Sequence, residues 1–242
     1  MTRSVGSGTR TRDITVTRDS VRLACRLSLP HGPGPFACAI FVHGLGSSKE
    51  SPRNVTIAQH LLAAGIATLL FDLSGHGGSR RDPHDGKEAY VLDLEAAFKW
   101  AGEQPELDSD VIGVAGSSLG GVVALQATLR GLIRPAAMVL RAPPAEPSEF
   151  VQLSVPTLIV VGSADPLLEM VREGAGRCEA VTLCVIRGAG HLFEEPGALE
   201  AALDATVRWF RYYLLDTGEE PPACGDKGKV HPYAGSIREG AR

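Results

Sequence analysis

Short, predominantly apolar runs recur along this chain, Ala37 to Val42 without a break, and each is followed by a turn and then by a stretch of helical character. The runs are Ala37 to Val42, Ile66 to Phe71, Val111 to Ala115, Ala137 to Leu140, Pro156 to Val161 and Val181 to Ile186. A strand that is apolar at every position has both faces covered, which is the condition of a parallel sheet flanked by helices. Between the runs, Ser51-Pro52 supplies an N-cap and a proline suited to the first helical position. Val55, Ala58, Leu61 and Leu62 then form an apolar stripe, and Gly65 closes the segment. Helices are also predicted over about Ala89 to Ala101, Leu119 to Leu129, Leu167 to Glu173 and Ala198 to Leu215. Upstream, Ile14 to Val16 and Val21 to Leu29 alternate as half-buried strands do. The pattern predicts an α/β fold, a mostly parallel sheet with helices on both faces.

At 242 residues the chain fits one large domain. That domain is expected over 13–216, with a mobile N-terminus over 1–12 and a disordered tail over 217–242. Apolar residues make up 44%, charged residues 21%, and the net charge is -4. This is a soluble composition without the basic balance of a nucleic-acid binder, so no nucleic acid is expected as partner. No apolar run reaches the ~20 residues of a membrane span, and the N-terminus lacks the apolar core of a secretory signal. A cytoplasmic protein without a membrane partner is the expectation. The five cysteines include no C-x-x-C pair, which argues against a zinc or redox motif. Cys25, Cys38 and Cys184 read as small apolar strand residues. No Rossmann fingerprint, metal motif or Walker loop is present, so no cofactor and no metal are expected. The oligomeric state is not legible.

In parallel sheets ligands bind at the carboxyl ends of strands, so the residues that follow each run matter most. After Val111 to Ala115 comes Gly116-Ser117-Ser118-Leu119-Gly120, a G-x-S-x-G pentapeptide between a strand and a helix. A serine on such a sharp turn projects its hydroxyl out of the sheet, and small neighbours are needed around it. Ser118 is the candidate nucleophile; Ser117 sits at the variable position of the motif. A serine hydroxyl needs a base, and Gly190-His191 after the last run supplies an imidazole on a flexible loop. The base needs an acid that orients it. Asp165 follows Pro156 to Val161 and is the candidate, although Asp165-Pro166 also reads as a helix cap. His43-Gly44-Leu45-Gly46 follows the first buried run, and its glycines permit close approach to a substrate. The backbone amides of Leu45 and Leu119 are the expected oxyanion donors. His43 reads as a structural histidine of that loop.

His43-Gly44-Leu45-Gly46, Phe71-Asp72-Leu73-Ser74-Gly75-His76-Gly77-Gly78-Ser79, Gly116-Ser117-Ser118-Leu119-Gly120, Gly162-Ser163-Ala164-Asp165 and Gly190-His191 together resemble the α/β-hydrolase family, over about residues 14 to 215. The order Ser118, Asp165, His191 is that of the family. The resemblance is to its dienelactone-hydrolase-like and serine-esterase branches. It implies an eight-stranded sheet and a serine hydrolase with Ser118, Asp165 and His191 as nucleophile, acid and base. The substrate would be a small to medium carboxylic ester or thioester. The same triad serves acyl transfer or amide cleavage, and the scaffold also hosts non-catalytic binding modules. Dienelactone hydrolases proper carry cysteine where this chain has Ser118. Many relatives insert a lid between the sixth and seventh strands, and the about fifteen residues from Arg141 to Val155 are too few for one. Phe36 and the leucine-rich loops are candidates for shaping an acyl pocket, and His76 is expected to pack locally.

Overall fold

The computed structural model describes residues 9–80, 88–215 and 217. The apolar runs become the parallel strands β3 (Phe36–Val42), β4 (Ala67–Phe71), β5 (Leu107–Ser117), β6 (Ala137–Arg141), β7 (Thr157–Gly162) and β8 (Val181–Ile186). The alternating pair β1 (Arg10–Arg18) and β2 (Val21–Leu29) forms an antiparallel hairpin at one edge. The sheet has eight strands in the order β1-β2-β4-β3-β5-β6-β7-β8, with β2 antiparallel to β4. Helices α1 (Pro52–Ala63), α2 (Ala89–Gly102), α3 (Leu119–Leu129), α4 (Pro147–Phe150), α5 (Leu168–Ala175) and α6 (Ala198–Leu215) connect or follow the strands.

The apolar runs divide between two cores, as a side-chain period of two requires. In β3, Cys38, Ile40 and Val42 pack on the face covered by Leu94 of α2 and Val123 of α3. Ala37, Ala39 and Phe41 pack on the opposite face, with Ile57 and Leu61 of α1 and Trp209 and Phe210 of α6. Burying one such Ile, Leu or Phe contributes ~1.5–3 kcal/mol, and both faces draw on it. Gly113 shows how closely α6 approaches: a β-carbon there would lie 2.6 Å from a Phe210 ring carbon.

The structure departs from the sequence reading at several places. β1 starts at Arg10, which pairs with Leu29, so ordered structure begins before the expected boundary at residue 12. β5 starts at Leu107 rather than Val111. Asp108, Ser109 and Asp110 are polar, so no apolar run marks that stretch. Ser51 holds the cap position of α1, but its side chain makes no capping bond; its carbonyl accepts the Val55 N–H instead. The segment expected as a tail lies outside the described residues except for residue 217. Among the described residues no lid domain is present, and the β6–β7 connection carries only the short α4. No described helix is long and apolar enough to cross a membrane.

Candidate active site

The turn after β5 is built by exclusion of side chains. Ser118 has φ 49° and ψ -119°, a conformation that strains any residue with a β-carbon. Its amide donates to Arg141 O at 2.8 Å, which anchors the turn to the end of β6. A β-carbon at Gly116 would lie 2.4 Å from Gly120 O, and one at Gly120 would lie 2.2 Å from Val42 O. The two glycines of G-x-S-x-G are therefore required by backbone contact. Ala142 and Phe193, after β6 and β8, also hold positive φ, of 47° and 54°. Backbone strain of this kind collects at functional sites.

The loops after β7 and β8 are stitched together. Ser163 N–H donates to Ile186 O at 2.9 Å, Ala164 N–H to Ala189 O at 2.9 Å and Gly188 N–H to Ser163 Oγ at 2.8 Å. This fixes Asp165 beside His191. His191 Nδ1–H donates to Asp165 Oδ2 at 2.9 Å, and His191 Nε2 lies 3.2 Å from Ser118 Oγ, placed to accept its proton. The Asp165 side chain is wholly buried, whereas that of His191 is one-third exposed. Asp165 does not cap α5, whose cap position is Leu167; its two carboxylate oxygens have different partners. Oδ1 accepts the Leu167 N–H at 2.9 Å ahead of α5, and Oδ2 faces the imidazole.

Gly44 brings the loop after β3 against the turn after β5: a β-carbon there would sit 3.3 Å from Ser117 O and 3.6 Å from Ser118 Cβ. Leu45 follows it, and Leu119 opens α3. Neither amide has an acceptor among the described residues. Leu45 and Leu192 point their side chains outward, 74% and 50% exposed. His43 is buried behind this loop. Its Nε2 accepts the Leu73 N–H at 3.0 Å, so its Nδ1–H is the donor to Gly44 O at 2.8 Å. Both ring nitrogens are thereby occupied, and burial pushes its pKa below the ordinary histidine value. His76 packs against His43 and Tyr90, with ring centroids 5.1 and 5.7 Å away.

Three further features complete the surroundings. Buried Asp72 accepts the Gly78 N–H at 2.8 Å and pairs with Lys49 Nζ at 3.0 Å, tying the loop after β4 to the one after β3. Buried Asp93 pairs with Arg18 at 2.7 Å and accepts the Ser74 N–H at 2.8 Å. Arg141 is buried at the end of β6; burial first, and then repulsion from Arg53, lower its pKa to about 10. Sequence reading did not single out Arg141, because an arginine at a strand end reads as a solvated charge. It also placed Phe36 near the site, and that is corrected here. Phe36 opens β3, about 20 Å along the strand from Val42, at the opposite end of the sheet. Cys25 and Cys38 are buried in strands with thiol pKa values pushed up to about 12 by burial, and Cys184 is buried too.

The sequence profile of the serine aminopeptidase S33 hydrolases matches residues 33–152, a span that contains Ser118 but neither Asp165 nor His191. The dienelactone hydrolase of Anabaena variabilis superposes with a TM-score of 0.74 at 32% identity, covering 85% of this chain and 99% of that one. The chain belongs to the α/β-hydrolase family. A Mycobacterium tuberculosis protein with the provisional name phosphoribosyl transferase is 33% identical over 223 residues, 86% of this α/β-hydrolase but 48% of the relative. The α/β-hydrolase thus spans about half the length of the first curated relatives it matches. A Bradyrhizobium protein provisionally named a 2-oxo-3-(5-oxofuran-2-ylidene)propanoate lactonase is 27% identical over 208 residues, 72% of this chain and 81% of that one.

Proposed function

We propose that the protein is a serine hydrolase that cleaves a small to medium carboxylic ester or thioester through an acyl-enzyme intermediate. The observation that carries this reading is the hydrogen-bonded line from Ser118 Oγ through His191 to Asp165, at 3.2 and 2.9 Å. Ser118 Oγ attacks the carbonyl carbon as His191 Nε2 takes its proton. The carbonyl oxygen becomes an oxyanion held by the amides of Leu45 and Leu119. His191 then gives the proton to the leaving alcohol or thiol, and the bond to it breaks. Water repeats the sequence on the acyl-enzyme, releasing the acid and returning the proton to Ser118. Asp165 stays ionised, holding Nδ1 protonated and offsetting the imidazolium charge.

The relatives support the ester class. A lactone is a cyclic ester, and two of them bear lactone-cleaving names. The short β6–β7 connection leaves the site uncovered from that side, which suits small and medium acyl groups over long chains. Labelling with a fluorophosphonate probe, with the adduct mapped by mass spectrometry, tests the reading. Labelling at Ser118 that disappears in Ser118→Ala is the expected result. A folded wild-type protein that takes up no label would sink it.

A further inference from the structure

β1 is the end strand of the sheet, and β2 is its one strand partner among the described residues. The ladder fixes which of its backbone groups are used. Arg22 O accepts the Arg80 N–H and Ala24 O the Asp72 N–H, so even positions of β2 face the β4 side and odd positions face β1. Val21 pairs with Arg18 and Cys25 with Ile14, so the even positions of β1 are the bonded ones. The N–H and C=O groups of Thr11, Asp13, Thr15 and Thr17 therefore point off the sheet, without a backbone partner among the described residues.

An open groove of about 610 Å³ runs along this edge, between β1 and α2. Its α2 wall is a stripe at helical spacing, in which Leu92, Ala96 and Trp100 are apolar and Glu95, Lys99 and Glu103 are charged. Leu92 is 40% exposed. Unpaired strand edges are templates for another strand, and charges on the edge usually deter one. Here most of those charges are already neutralised: Arg12 by Glu106 at 3.0 Å, Asp13 by Arg26 at 2.9 Å and Arg18 by Asp93 at 2.7 Å. Arg10 on the strand and Glu95 in the groove have no ionic partner among the described residues.

Those two residues say what fits the edge. Even positions of β1 face α2: Val16 shares a core with Leu94, and Arg18 reaches Asp93. Arg10 lies on the same side. When β1 of a second copy is set antiparallel with Ile14 opposite Ile14, Asp13 exchanges bonds with Thr15, and Thr11 with Thr17. Arg10 of that copy then reaches the level of Arg18, where Glu95 lines the groove. Shifting the register by one residue pair sets Asp13 against Asp13, or Arg12 against Arg18. One two-fold axis at Ile14 gives both copies the same contacts, as a closed dimer requires.

We propose that β1 is a dimerisation edge, on which β1 of a second copy pairs antiparallel about Ile14, with Arg10 of each copy against Glu95 of the other. The pairing joins two eight-stranded sheets into one. It does not depend on the chemistry proposed at Ser118.

Sedimentation velocity of the full chain, from about 1 to about 100 µM, tests the edge. Wild type is expected to pass from monomer to dimer over that range. Thr15→Pro removes an N–H that points off the sheet and leaves the β1–β2 ladder intact. It should stay monomeric, with the circular dichroism spectrum of the wild type. Arg10→Glu and Glu95→Arg should each weaken association about tenfold or more, and the double variant should restore it. Neither side chain is buried, so this pair decides the matter if Thr15→Pro fails to fold. A wild type that remains monomeric at about 100 µM overturns the proposal. A dimer that persists unweakened in Thr15→Pro and in both charge reversals overturns it as well, by placing the contact elsewhere.

Discussion

His43 Nε2 accepts the Leu73 N–H at 3.0 Å, which ties the loop after β3 to the loop after β4 through a buried, neutral imidazole. His43→Ala leaves that amide without its acceptor, at an expected cost of ~1–3 kcal/mol in unfolding free energy. The cost should depend on pH. Burial depresses the folded pKa of His43, while the unfolded chain titrates near ~6.5. Between those values the unfolded state binds more protons, so stability rises with pH. The contribution of neutral His43 is full above the unfolded value and is lost as pH falls toward the folded one. Urea unfolding at about pH 7.5 and about pH 5 should therefore show a narrower gap between wild type and His43→Ala at the lower pH. A gap of equal size at both would contradict the assignment.

Asp165 divides its oxygens between the Leu167 amide and His191, and the two jobs separate by substitution. Asp165→Asn keeps an acceptor for Leu167 but loses the charge that stabilises the imidazolium. Its kcat should fall by a factor on the order of 10⁴, as for the corresponding change in a serine protease, with little change in Tm. Asp165→Ala should lose a similar factor and also lower stability by ~1 kcal/mol. Activity assays with thermal melts of the same samples check both. If Asp165→Asn retained most of its activity, Asp165 would be a turn residue alone.

The amide of Leu45, not its side chain, is assigned to the oxyanion. Leu45→Ala should alter stability by less than ~0.5 kcal/mol, because the side chain is exposed, and should leave kcat for a short-chain ester nearly unchanged. Leu45→Pro removes the N–H and should lower kcat about 10²–10³-fold. Steady-state kinetics on an acetyl ester separate the two; equal rates for Leu45→Pro and Leu45→Ala would remove Leu45 from the site.

Gly120 and Gly65 differ in what surrounds them. A β-carbon at Gly120 meets Val42 O at 2.2 Å and His43 O at 2.6 Å; at Gly65, φ is +90° but nothing lies within 4 Å. Gly65→Ala should cost about 1–2 kcal/mol through its backbone conformation alone and keep the turnover per folded molecule. Gly120→Ala should cost more and also depress turnover, because relief of the clash displaces the start of the Leu45 loop. Active-site titration alongside denaturant unfolding checks this; normal turnover in folded Gly120→Ala would show that the loop absorbs the shift.

The sheet was legible because strands covered on both faces are largely apolar: β3 is apolar throughout, and β4, β6 and β7 carry one polar residue each, Thr68, Arg141 and Thr157. The polar start of β5 was not, since Asp108 to Asp110 are placed by backbone pairing, which leaves no trace in side-chain pattern. That Ser118, Asp165 and His191 come together could be anticipated for a geometric reason: each follows a strand, and parallel strands deliver their ends to one edge. Phe36 misled because it adjoins an apolar run at the wrong end, and its direction along the strand is what decides. Arg141 was invisible because its burial and its bond to Asn54 Oδ1 arise from elements far apart in sequence.

The crowding around Gly116 and Gly120 has a consequence for how this protein can be altered. Backbone atoms of neighbouring strands leave no slack at the turn around Ser118, so a change there disturbs the fold along with the proposed chemistry. Leu45 and Leu192 are different: they stand at the rim, and their side chains bear no share of the core. A library varied at those two positions should yield mostly folded, active proteins whose preference among esters differs. The scaffold thus holds the Ser118 turn rigidly and leaves the exposed leucines beside it open to redesign.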